Sequence, residues 1–155
     1  MTAIANGGAF ENARLDVDAL LSSRPASEEA LEEALELIGA RAEDDLLTRP
    51  DLESDDERAW ELLGAVDAWA SLASYAFQRV YVEEPADVGS PFRRFKGARP
   101  DVMKRLRSCA SRFKRPLEAA CGVLGALSYS ISVGFPLGLS VGVTWEPGQP
   151  PDPRA

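Results

Sequence analysis

The chain has 155 residues, 45% of them apolar and 27% charged, with a net charge of −8. That is the size and balance of one globular domain. It contains no histidine and only two cysteines, Cys109 and Cys121, which excludes Ser-His-Asp and Cys-His nucleophile systems, His-containing zinc and di-iron sites, and a disulfide-stapled secreted scaffold.

Residues 1–13 carry Asn6, Gly7 and Gly8 with little periodicity and read as a flexible N-terminus. They have neither a basic nor an apolar region of the kind a signal peptide needs. A single domain is expected over 14–146. Leu15, Ala19 and Leu20 predict a short helix stopped by Pro25. Ser27 then offers an N-cap, with Glu28 and Glu29 in the first turn, where negative charge suits the helix dipole. Leu31, Ala34, Leu35, Ile38, Ala42 and Leu46 recur at helical spacing, and the glutamates lie off that stripe. This helix ends before Pro50.

Ser54-Asp55-Asp56-Glu57 matches a capping box and opens a helix to about Val82. Its apolar residues form two adjacent stripes. One holds Trp60, Leu63, Ala70, Phe77 and Tyr81; the other holds Leu62, Val66, Trp69, Ala73 and Val80. A helix apolar over so much of its circumference is buried on more than one side, so it is expected at the centre. After a Pro- and Gly-containing loop over 84–100, Asp101 is expected to cap a further helix. Val102, Leu106, Cys109, Phe113, Leu117, Ala120 and Leu124 keep one stripe across Pro116, which predicts a kinked helix, or two joined near Arg115, ending around Leu127.

The pattern then changes period. Every odd position from Tyr129 to Trp145 is apolar, and every even one from Ser128 to Thr144 is Ser, Gly, Pro or Thr. Alternation of this kind predicts strands, and Phe135-Pro136-Leu137-Gly138 supplies turn chemistry. The expected hairpin over about 128–145 pairs Tyr129 with Trp145, Ile131 with Val143, and Val133 with Val141. Residues 147–155, PGQPPDPRA, read as a disordered proline-rich tail. The fold class is therefore mainly α: a bundle of three or four helices with a C-terminal β-hairpin.

Charge is strongly segregated. Residues 1–91 carry a net −15, residues 92–115 a net +9, and residues 116–155 a net −2. Phe92, Arg93, Arg94, Phe95, Lys96, Arg99, Lys104 and Arg105 form the first candidate partner-binding set. Arginines interleaved with aromatics can also stack bases and clamp phosphates, but the acidic whole opposes nucleic-acid binding. The bland alternative is that these cations face acidic helices of the same chain. Five glutamates over 28–36 read as a solvated helix face, because a hard-cation site needs ligands converging from several elements. Cys109 and Cys121 read as small core hydrophobes; a reactive thiolate would depend on Arg105 or Arg112.

The second candidate is the hairpin. No charge occurs from Ala119 to Trp145, a run of 27 residues. Each arm is shorter than the roughly 9–11 residues a membrane-spanning strand needs, so packing on the helices outweighs insertion into lipid. Ser130, Ser132, Ser140 and Gly142 would form a flat outer face or edge for another protomer or partner. The sequence thus leads to a non-enzymatic protein-protein interaction module, an adaptor, inhibitor or regulatory subunit of an intracellular, cytoplasmic assembly. No catalytic set, cofactor or metal site is expected. The expected partner is another protein, acidic where it meets 92–115, with a homo-oligomer through the hairpin as a variant. Membrane insertion of the hairpin and nucleic-acid binding through 92–115 are the alternatives.

Overall fold

The computed structural model of the chain describes residues 2–23, 26–48, 56–81, 99–134 and 138–145. Within them, four helices precede a two-stranded antiparallel sheet. These are α1 (Thr2–Leu20), α2 (Glu28–Leu47), α3 (Asp56–Tyr81), α4 (Pro100–Leu124), β1 (Ser128–Gly134) and β2 (Gly138–Thr144). The architecture is the mainly α bundle with a C-terminal hairpin. Ser54, expected to cap α3, most of the 84–100 loop and the 147–155 segment lie outside the described residues.

Side-chain contacts set the helix directions. On α3, Tyr75 Oη donates to Asp18 Oδ1 at 2.6 Å, and Arg79 donates to the Leu21 carbonyl at 2.8 Å. Further back, Phe10 meets Trp69 edge-on, with ring centroids 5.1 Å apart. Numbers rise together, so α1 and α3 run parallel. Between α2 and α3 they run oppositely: Glu28 meets Tyr81, and Asp45 meets Trp69. Arg99 near Glu29 and Arg112 near Glu43 set α4 parallel to α2, so the bundle is up-down-up-down.

Helix α2 follows its sequence signals closely. Ser27 Oγ accepts from the Ala30 amide at 3.0 Å, and Leu31, Ala34, Leu35, Ile38, Ala42 and Leu46 are all buried. Helix α3 is central, packing on α1, α2, α4 and β2. Trp69 and Phe77 are fully buried there, each Phe-sized side chain contributing roughly 1.5–3 kcal/mol of burial. Trp60 is only half-buried, stacked on Trp145 at 5.2 Å.

Several expectations are corrected. Helix α1 begins at Thr2, well ahead of the short helix that Leu15, Ala19 and Leu20 predict. Its buried stripe is Ala13, Val17 and Leu21, with Phe10 packed partly behind it, whereas Leu15 is 57% exposed. Gly7 and Gly8 have low helix propensity, and Phe10, just beyond them, packs against Trp69 of α3. Helix α4 starts at Pro100 with Arg99 at the N-cap, making no side-chain cap bond; Asp101 lies in the first turn. Proline suits this position because its missing N–H would be unpaired there anyway. The helix continues through Pro116 as one element, because Phe113, Leu117, Ala120 and Cys121 stay buried on both sides of it. It stops at Leu124, since Gly125 takes a left-handed φ of 72°.

In the hairpin, Tyr129 pairs with Val143, Ile131 with Val141, and Val133 with Leu139, two residues away from the expected register. The closing pair is Gly134 and Gly138, with φ of 150° and 84°. Both values favour glycine, so the described pairing closes on these two residues. A two-residue slip keeps parity, so the odd positions still face the helices. Leu139 is fully buried and Ile131, Val133, Val141 and Val143 are half-buried, but Tyr129 is 42% exposed. β2 lies against α3 and β1 against α4.

Candidate functional site

Of the basic set, Phe92, Arg93, Arg94, Phe95 and Lys96 lie outside the described residues. The described cations on one side of α4 meet acids of α2. Arg99 bridges Glu29 and Glu32, Arg105 pairs with Glu36, and Arg112 lies 4.0 Å from Glu43. Glu29, Glu36 and Glu43 are seven residues apart, as are Arg105 and Arg112. The two helices run parallel, so a seven-residue period brings acid and base together every second turn. Glu29 is held below the usual carboxylate range, first by a backbone amide of its own first turn and then by Arg99. Exposed pairs of this kind are each worth about 0–1 kcal/mol, and they align α2 with α4 more than they stabilise it. Arg99 and Arg105 are thus engaged within the chain, while Lys104 is exposed.

Between the same helices is a cavity of about 260 Å³, lined by Glu36, Gly39, Arg105, Ser108, Cys109 and Arg112 among others. Its thiol is not a neutral-pH nucleophile. Burial pushes Cys109 up to about 11, against an opposing pull from Arg112. Its Sγ–H donates to the Leu35 carbonyl at 3.1 Å. Gly39 permits this close approach: a Cβ there would come within 3.4 Å of Cys109 Sγ and 3.3 Å of Arg112 Nη1. Of the cations that line this cavity, Arg105 pairs with Glu36 and Arg112 lies beside Glu43, while Lys104 lines it with Asp101. Among the described residues, no three His, Cys, Asp or Glu side chains gather as a metal-binding group, and no described helix is long and apolar enough to cross a membrane.

The hairpin set is brought together as a surface. Ser130, Ser132 and Gly142 are exposed and Ser140 is half-exposed, all on the side away from the helices. Pairing is limited to β1 with β2 among the described residues, so each strand has an outer edge. Both edges border grooves. The β1 groove, about 310 Å³, is lined by Ala110, Ser111, Lys114 and Leu117 of α4 with Tyr129, Ser130 and Ile131. The β2 groove, about 300 Å³, runs beside Asp67, Ser71, Ser74, Tyr75 and Gln78 of α3 with Leu139, Ser140 and Val141. Sequence reasoning missed the α4 wall of the first groove. Its signal was present: Arg107, Ser111 and Lys114 repeat at i, i+4 and i+7 on the polar side of a helix.

No protein-family model, no curated protein and no solved structure matches this chain.

Proposed function

We propose that the chain is a non-enzymatic protein-protein interaction module, an adaptor, inhibitor or regulatory subunit of a larger cytoplasmic assembly. The hairpin is its contact surface. One observation carries this reading: both edges of an uncharged two-stranded sheet open into helix-lined grooves, beside an exposed face of serine and glycine. Unpaired strand edges are templates for another chain, and natural edges are ordinarily blunted by charge, proline or a covering element. The apolar side of the hairpin supports the same view, since Tyr129 and Leu127 remain 42% and 61% exposed. The intracellular placement rests on the two free cysteines.

Photo-crosslinking in native cells tests the proposal. A photoreactive phenylalanine derivative is placed at Tyr129, at Ser132 and, as a control on the far side of α2, at Glu33. Discrete crosslinked products are expected from Tyr129 and Ser132 and not from Glu33. The same background pattern at all three positions would exclude the hairpin as a contact surface.

A further inference from the structure

The β1 groove has a direction and a charge. It touches Ile131, which faces the helices, and also its neighbour Ser130, which faces away. Side chains alternate along a strand, so a groove reaching both parities runs along the strand's edge and not beneath its face. The edge itself, Ser128–Gly134, contains neither a charge nor a proline, so the usual obstacles to pairing are missing. Its far wall is α4, which adds apolar Ala110 and Leu117 and the ammonium of Lys114. Arg107 lies on the same α4 stripe and Arg115 beside it; all three cations are exposed. None of them is among the cations that pair with α2.

We infer that the free edge of β1 accepts, as a third strand, an extended segment of another protein in which carboxylates alternate with apolar side chains. This rests on the interaction-module reading and names its partner class. The backbone of the added segment pairs with the outward N–H and C=O groups of β1, the mode of recognition known as strand addition. One set of its side chains covers Leu117 and Ala110, and its carboxylates lie within reach of Lys114 and Arg107. A second copy of this chain fits less well. Two-fold pairing of β1 with β1 brings the exposed cations of two α4 helices together, and like charges so placed repel. Pairing β1 with another copy's β2 presents an edge already bordered by its own helix, α3. A bare extended segment has no such encumbrance.

The test uses a displayed library of random twelve-residue peptides selected against the full chain, followed by synthesis of the strongest binder. Enrichment of acidic residues alternating with apolar ones is expected. Binding by fluorescence anisotropy should fall at least tenfold when alternate amides of one parity in the peptide are N-methylated, and change little with the other parity. Lys114→Glu should weaken binding between about threefold and thirtyfold, because it replaces one exposed attraction by a repulsion. Circular dichroism and melting of that variant confirm that the fold is kept. Three results overturn the inference: no enrichment, selection of basic peptides, or tolerance of N-methylation at both parities. Self-association that Lys114→Glu strengthens also overturns it, in favour of a second copy. If any of these occurs while crosslinks from Tyr129 and Ser132 persist, the partner class is wrong and the interaction reading stands. Loss of the crosslinks as well removes both.

Discussion

Replacing Trp69 with phenylalanine separates one buried hydrogen bond from the packing around it. Trp69 is 1% exposed in the middle of α3, and its Nε1–H donates to Asp45 Oδ2 at 2.8 Å. Asp45 is itself only 5% exposed. Phenylalanine keeps an aromatic ring in the same site, edge-on to Phe10, but has no N–H. The lost charge-assisted bond is worth about 1.5–3 kcal/mol. The smaller ring adds roughly 1 kcal/mol of cavity cost. Trp69→Phe should therefore destabilise by about 2.5–4 kcal/mol. Trp69→Ala removes the ring as well, at about 3–5 kcal/mol before the hydrogen bond is counted. That sum is a large part of a domain stability of about 5–15 kcal/mol. A double-mutant cycle with Asp45→Asn, which keeps an acceptor oxygen and removes the charge, should give a favourable coupling of about 1–2 kcal/mol. Urea unfolding at pH 7, followed by far-ultraviolet circular dichroism, measures each variant with an unchanged denaturant slope. A Trp69→Phe protein within about 0.5 kcal/mol of the parent would refute the account. Zero coupling in the cycle would also refute it.

Three further outcomes follow from the same structure. Gly138→Ala should cost about 2–5 kcal/mol. Its φ is 84°, and a Cβ there would lie 2.7 Å from Phe77 Cβ. Phe77→Ala should not rescue it, because alanine keeps that Cβ; Gly142→Ala, whose nearest contact is 3.4 Å, should be well tolerated. Equal melting of Gly138→Ala and parent would mean that the hairpin sits elsewhere. Between pH 9 and pH 11 stability should fall by about 1.4 kcal/mol per pH unit on account of Cys109. The unfolded thiol loses its proton in that window while the buried one keeps it, so the contribution is whole below pH 9 and gone above pH 11. Cys109→Ala should abolish this component in urea midpoints across pH; Tyr81, also pushed upward by burial and by Glu28, acts in both chains and cancels. Val141→Asp places a carboxylate on the apolar side of β2 against α3 and should cost about 2–3 kcal/mol. Ser132→Asp, on the outer face, should stay within about 0.5 kcal/mol in the same melts.

Periodicity and capping chemistry alone determine most of the secondary structure here. Ser27 and the stripe from Leu31 to Leu46 define α2, and alternation from Tyr129 to Trp145 defines a hairpin with its serines outward. Such features are local, because one residue's spacing from the next already dictates which side chains share a face. What local pattern could not decide depended on contacts between distant residues. The turn signal admitted two registers of the same parity. The choice fell to Gly134 and Gly138, the latter because its bare Cα rests on Phe77. Along α1, Phe10 meets Trp69 across 59 positions in the chain, a contact that no local spacing contains. Segregated charge was plain in the sequence, but whether a given cation faced inward or outward was not. That division follows from α2 and α4 lying parallel, which turns Arg99, Arg105 and Arg112 toward glutamates. Arg107, Lys114 and Arg115 are left exposed on the rest of the helix surface. The β1 groove exists only because a strand and a helix separated by a single tight turn at Gly125 are laid side by side, and no linear pattern contains that juxtaposition.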